Sequence, residues 1–124
     1  MNAVDPVISL QDKVVLITGA AGGQGQSHAA LLQGLGARLV LTDVDAPGVS
    51  ALARSLGSDV LGLAHDVSSP GDWHRVVEAA LEAFGRVDVL VNNAGLSPVA
   101  PLAEISEDTI RRTLDINLIG PILG

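Results

Sequence analysis

Val14-Val15-Leu16-Ile17-Thr18-Gly19-Ala20-Ala21-Gly22-Gly23-Gln24-Gly25 is the stretch that decides the fold. Its first four residues are apolar, mostly β-branched and uncharged, as in a strand buried on both faces. Four glycines then fall within the seven residues 19–25. Glycine reaches φ > 0 without strain and lets backbone approach a ligand closely, but it costs conformational entropy in a turn that holds nothing. The segment Gln26 to Leu35 reads as a helix, with Gly36 at its end. A helix starting at such a loop offers free N–H groups and a positive dipole end, which suit a pyrophosphate. Two common phosphate loops are excluded by spacing. Gln26-Ser27-His28 follows Gly23-Gln24-Gly25, so G-x-G-x-x-G fails, and no Lys-Ser/Thr pair follows for a Walker A loop.

Outward from this loop, apolar runs alternate with helical patterns. Leu39-Val40-Leu41, Val60-Leu61-Gly62-Leu63 and Val87-Asp88-Val89-Leu90-Val91 read as the second, third and fourth strands. Pro47 to Leu56 reads as the second helix, closed by Gly57. The third has Ser69 as cap, Pro70 at the first helical position, Asp72 in a capping-box pattern and Gly85 as its stop. Trp73, Val76, Val77, Ala80, Leu81 and Phe84 share one face of it. A fourth helix starts at Ser106, with Ile105 and Ile110 placed for a hydrophobic staple and Ile110, Leu114, Asn117 and Leu118 along one side. Pro121 is expected to cost it a hydrogen bond and bend it. Strands alternating with helices imply a parallel sheet with right-handed crossovers. The fold class is therefore α/β, with a parallel sheet of about four strands.

Composition agrees. The 124 residues suffice for one core, and that core is aliphatic: 48% of residues are hydrophobic, with Trp73 and Phe84 the only Phe, Trp or Tyr residues. A net charge of −7 and a single lysine, Lys13, argue against nucleic acid or an anionic membrane surface as partner. There is no cysteine, and no metal-binding spacing links His28, His65 and His74, so no metal site is expected. No apolar run reaches the length of a membrane span, and Met1 to Asp12 lacks the layout of a secretory signal. A cytoplasmic protein is the default expectation.

Asp43 ends the second strand, 18 residues after Gly25, where an acid accepts hydrogen bonds from a ribose hydroxyl. A carboxylate there repels a 2′-phosphate, and residues 19–37 contain no Lys or Arg to attract one, which favours NAD over NADP. Asp45 is a weaker candidate, further from the strand end. Asn92-Asn93-Ala94-Gly95 follows the fourth strand, at the carboxyl edge where open parallel sheets bind ligands.

The pattern T-G-x-x-x-G-x-G at Thr18, Gly19, Gly23 and Gly25, joined to Asp43 and N-N-A-G, resembles the short-chain dehydrogenase/reductase family, over Lys13 to Gly124. Gln24 stands where isoleucine is common in that family. The resemblance implies a Rossmann-type fold, a doubly wound parallel sheet of about four strands in the order 3-2-1-4 and incomplete at one edge, with Thr18, Gly19, Gly22, Gly23, Gln24 and Gly25 around the cofactor, Asp43 on its ribose, and Asn93, Ala94 and Gly95 beside it. It implies that Asp66-Val67 contacts the adenine; from the residues alone, Asp66 could equally cap its own loop. Asp115-Ile116-Asn117-Leu118 resembles the family's helix with the catalytic asparagine, so Asn117 is the candidate catalytic residue, its backbone carbonyl holding a water.

Family chemistry is hydride transfer between nicotinamide and a secondary alcohol or ketone, with a tyrosine as acid/base, a lysine four residues later and a serine. This chain has no tyrosine, and its lysine is at the wrong end. Residues 1–12 are thus expected to be an irregular lead-in and 13–124 an NAD-binding portion that stops before the catalytic Ser, Tyr and Lys. Alone, it is expected to be inactive. A small-molecule substrate for a longer form and a homo-oligomer are further implications of the resemblance. The alternatives are a non-catalytic NAD-binding fragment that pairs with another chain and, more remotely, a Rossmann-like methyltransferase, against which the loop spacing and N-N-A-G argue.

Overall fold

A computed structural model describes residues 8–124. The elements run β1 (Val14–Ile17), α1 (Gly23–Gly34), β2 (Arg38–Asp43), α2 (Ala46–Leu56), β3 (Val60–Ala64), α3 (Pro70–Phe84) and β4 (Val89–Val91). A short 3-10 turn (Leu102–Glu104), α4 (Glu107–Leu114), a π-helical turn (Asp115–Ile119) and α5 (Gly120–Leu123) follow. The four strands form one parallel sheet in the order β3-β2-β1-β4. This is the expected order. The chain winds outward from β1 through β2 to β3, then returns to place β4 on the other side of β1. The switch point lies between β1 and β4.

Period-2 alternation in the central strands explains why helices cover both faces. Val14, Leu16 and Val40 point to one face, packing with Val67, Trp73, Val76, Ala80 and Ile116. Val15, Ile17, Leu39 and Leu41 point to the other, packing with Ala20, Ala29, Ala37 and Val49. Burial on both sides accounts for the uninterrupted apolar reading of β1 and β2.

Several boundaries differ from the sequence reading. Helix α1 begins at Gly23, three residues before Gln26, because Gly22 already accepts from the Gln26 N–H and the glycines themselves form the first turn. Helix α2 begins at Ala46, with Asp45 as its cap: the Asp45 carboxylate accepts from the Gly48 N–H at 3.0 Å. Strand β4 is shorter than expected, since Asp88 bonds Val14 with its side chain as well as its backbone. The third helix keeps its expected ends, with Ser69 capping the Asp72 N–H and Gly85 at φ 75°. The return arm of the capping box is redirected, however: Asp72 Oδ2 accepts from the Asp66 N–H at 2.8 Å, not from Ser69.

The last helix departs most. Pro121 has no N–H, and its ring crowds the carbonyl four residues back in a regular helix, here that of Asn117. The turn just before it is widened, with the Gly120 N–H reaching back five residues to Asp115. Ile116 becomes the buried residue of this segment, while Ile110, Leu114 and Leu118 are exposed. The apolar side expected along 110, 114, 117 and 118 is therefore not the one that packs. The lead-in is irregular over residues 8–12, tied by the Leu10 N–H to the Leu35 carbonyl; residues 1–7 of the expected lead-in lie outside the described residues.

Candidate functional site

The carboxyl ends of the four strands open into a cleft of about 380 Å³. It is lined by Gly19, Gly22, Gly23, Gln24, Asp43, Val44, His65, Asp66, Val67, Asn93, Ala94, Gly95, Leu96 and Ile116. All the expected cofactor residues except Thr18 and Gly25 therefore meet at one surface, although they span four loops. Val44, His65, Leu96 and Ile116 join them without having been singled out. Each lies next in sequence to a residue that had been (Asp43, Asp66, Gly95 and Asn117), and adjacency was their only signal.

The glycines divide by role. Gly19 has φ +62°, and a Cβ there would come within 2.7 Å of Ala94 Cα. A Cβ on Gly25 would come within 2.5 Å of Ala20 Cα. Both are required by the protein's own packing, and Gly25 is buried behind the loop. Gly23 has nothing within 4 Å of its Cβ position, and it sits at the start of α1 on the cleft. There, the absence of a side chain leaves room for an external group, and first-turn N–H groups face outward without helical partners.

Thr18 is 1% exposed and lies beneath the cleft rather than in its wall. Its hydroxyl oxygen accepts from the Asn93 and Ala94 N–H groups at 3.1 and 3.0 Å. Asn93 returns the contact, its amide nitrogen donating to the Thr18 and Gly19 carbonyls, each at 3.1 Å. This reciprocal clamp fixes the glycine loop to the end of β4 across the switch point.

Asp43 is held at both oxygens: Oδ2 accepts from the Ala21 N–H at 3.0 Å, and Oδ1 from the Asp45 N–H at 2.9 Å. The carboxylate is fixed before any ligand arrives, and each oxygen keeps a lone pair for one. Asp45 is committed to capping α2. No Lys or Arg lines the cleft.

Asp66 both caps its loop and reaches the cleft. Its Oδ1 accepts from the Ser68 N–H at 3.0 Å and from the Ser68 hydroxyl at 2.6 Å. Arg112 Nη1 lies 3.5 Å from its Oδ2. The Ser68 hydroxyl bond, above all, holds the Asp66 carboxyl below the usual carboxylate range; burial opposes it, and the Ser68 N–H and then Arg112 add lesser pulls in the same direction as the hydroxyl. The Val67 carbonyl accepts from the Trp73 indole N–H at 2.8 Å, which anchors this loop to α3. His65 is 2% exposed. Its Nδ1 is 2.8 Å from the Thr42 hydroxyl, its ring meets Trp73 edge-on at 4.4 Å, and Nε2 has no hydrogen-bond partner among the described residues. Burial pushes its pKa down, against the opposing pull of Asp72.

Asn117 does not line the cleft. Its side chain pairs with the backbone of Leu96: Oδ1 accepts from the Leu96 N–H and Nδ2 donates to the Leu96 carbonyl, both at 2.7 Å. Gly95 permits this approach, its Cβ position lying 3.3 Å from Asn117 Oδ1. The π-helical segment is thus stitched to the loop that follows β4. Among the described residues, no three His, Asp or Glu side chains cluster as a metal site, and no helix is long and apolar enough to cross a membrane.

Residues 13–124 match the family model described as short chain dehydrogenase. The chain is 40% identical to D-threitol dehydrogenase of Mycolicibacterium smegmatis, covering 98% of this chain and 48% of that one. It is 38% identical to galactitol 2-dehydrogenase of Agrobacterium fabrum, covering 91% and 44%. Among solved structures, it resembles a 3-ketoacyl-(acyl-carrier-protein) reductase from Brucella melitensis complexed with NADH, at TM-score 0.90 and 38% identity, covering 93% of this chain and 48% of that one. It also resembles a short chain dehydrogenase/reductase from Burkholderia phymatum in complex with NAD, at TM-score 0.89 and 36% identity, covering 95% and 43%. The chain spans about half the length of these relatives.

Proposed function

The chain belongs to the short-chain dehydrogenase family, an oxidoreductase family, and from that premise we propose that its cleft binds a nicotinamide adenine dinucleotide, with NAD preferred over NADP. The observation that carries the reading is Asp43: a carboxylate fixed at both oxygens, on a cleft lined by no cation. It accepts from ribose hydroxyls and repels a 2′-phosphate. In this reading, Gly22, Gly23 and Gln24 lie along the pyrophosphate at the start of α1, supported by the open Cβ position of Gly23. Asp66 and Val67 face the adenine, and Asn93, Ala94 and Gly95 border the nicotinamide end. Thr18 and Gly25 act from behind, by holding the loop in shape.

The bound nicotinamide supplies a hydride donor or acceptor. A secondary alcohol or ketone is the substrate class this implies for a longer protein containing this portion. The named relatives include a threitol and a galactitol dehydrogenase, which suits that class. Asn117 is proposed to contribute through its backbone carbonyl, to which Pro121 has no N–H to offer. Family acid/base work needs a tyrosine and a nearby lysine, and these 124 residues hold no tyrosine and only Lys13. The 124-residue chain is therefore proposed to bind the dinucleotide without turning it over. A homo-oligomer of the longer protein goes with the same reading.

Titration of the protein with NADH and NADPH, followed by nucleotide fluorescence, tests this. NADH is expected to bind tighter than NADPH, and Asp43→Ala is expected to weaken NADH by roughly tenfold, as loss of a charge-assisted hydrogen bond does. Equal affinities with no effect of Asp43→Ala would sink the NAD assignment. Binding of S-adenosylmethionine but not NADH would sink the dinucleotide reading altogether.

A further inference from the structure

Arg112 lies outside every motif that marks the cleft, yet it closes a hydrogen-bond chain that ends there. Its Nη1 donates to the Ser68 hydroxyl at 3.2 Å and lies 3.5 Å from Asp66 Oδ2. Ser68 in turn donates to Asp66 Oδ1 at 2.6 Å. Arg112 comes from α4, 44 residues away from Ser68 in sequence. Its carboxylate partner lines the cleft, whereas Arg112 itself does not.

The chain of donors runs one way, from guanidinium to hydroxyl to carboxylate, and each link polarises the next. Ser68 fixes one oxygen of Asp66 and Arg112 steadies the other, so the carboxylate is restrained in rotation. Ionised, it is an acceptor only. It therefore favours a donor, such as the exocyclic amino group of adenine, and disfavours a carbonyl oxygen at the same position. We propose that Arg112 is a positioning residue for base selection: through Ser68 it holds Asp66 as a fixed acceptor that selects a 6-amino over a 6-oxo purine in the bound dinucleotide. This rests on the dinucleotide reading of the cleft.

The test compares NADH with its hypoxanthine counterpart, reduced nicotinamide hypoxanthine dinucleotide, on wild type, Arg112→Gln, Arg112→Lys and Ser68→Ala. Thermal melts of each variant confirm folding. Wild type is expected to prefer NADH. Arg112→Gln and Ser68→Ala are expected to weaken NADH by roughly three- to five-fold, as suits a half-exposed ion pair, while the hypoxanthine analogue changes less than about two-fold. Arg112→Lys is expected to recover part of the preference. A purely structural tether would weaken both nucleotides alike and leave the ratio unchanged, which would overturn the proposal, as would variants that leave NADH affinity unaltered. A wild type that binds neither nucleotide would instead overturn the dinucleotide reading itself.

Discussion

His65 is the clearest case of a single residue whose protonation is coupled to folding. It is buried, bonded through Nδ1 to Thr42 and packed edge-on against Trp73. Burial holds its pKa below 6.5 in the folded chain. In the unfolded chain it takes up a proton near pH 6.5. The unfolded state thus binds more protons below that value, so the contribution of His65 to stability is complete above pH 6.5 and is lost as pH falls through the folded value. Denaturant unfolding between pH 7.5 and 5.5 is expected to show the loss, at a slope of at most one proton, or about 1.4 kcal/mol per pH unit. His65→Gln is expected to flatten that slope. An unchanged slope would mean that His65 titrates as freely folded as unfolded. At this scale, the sequence revealed residues that belong to spaced motifs: Gly19, Asp43 and Asn93 announced themselves. It did not reveal the partners that hold them. Arg112 reaches Asp66 from 46 positions further along the chain, and no local pattern encodes such a contact.

Elements were legible where local chemistry and tertiary packing agree. Helix α3 starts and stops where Ser69 and Gly85 dictate, because capping oxygen and left-handed glycine are local devices. Boundaries slipped where a side chain took over a backbone role, as Asp88 does beside β4, or where period reading assumes a regular turn, as at Asp115–Ile119. Asp72 sits where both kinds of information meet. Its N–H donates to Ser69 Oγ, while its carboxylate takes the Asp66 N–H rather than closing the capping box on Ser69. It therefore joins the end of β3 to the start of α3 and places a negative charge on the positive end of the helix. Asp72→Ala is expected to lower stability by about 1–2 kcal/mol, and Asp72→Asn by less, since an amide oxygen still accepts. Urea unfolding of the two variants checks this; equal losses would point to charge, rather than the hydrogen bond, as the active component.

Over the whole molecule, the sheet is well covered on both faces at β1 and β2 but not at the β4 side. Strand β4 pairs only with β1, and its other edge carries no partner among the described residues. The expected apolar stripe of α3 is only half used: Trp73, Val76 and Ala80 are buried, whereas Val77 and Leu81 are 38% and 47% exposed. Beside them, Pro70, Trp73, His74, Val77, Leu123 and Gly124 line an open groove between α3 and α5. Free strand edges recruit other chains, and exposed apolar stripes lower the gain from folding. The 124-residue chain on its own is accordingly expected to melt below about 60 °C, to bind a hydrophobic dye, and to associate as its concentration rises. Saturating NADH is expected to raise the melting temperature, because a ligand held by the folded cleft shifts the equilibrium by mass action. The two halves of this expectation are separable. A cooperative melt of the monomer well above 60 °C would mean that the sheet needs nothing beside β4, whatever NADH does. A low melting temperature that NADH fails to raise would leave the stability argument standing and count against a preformed cleft.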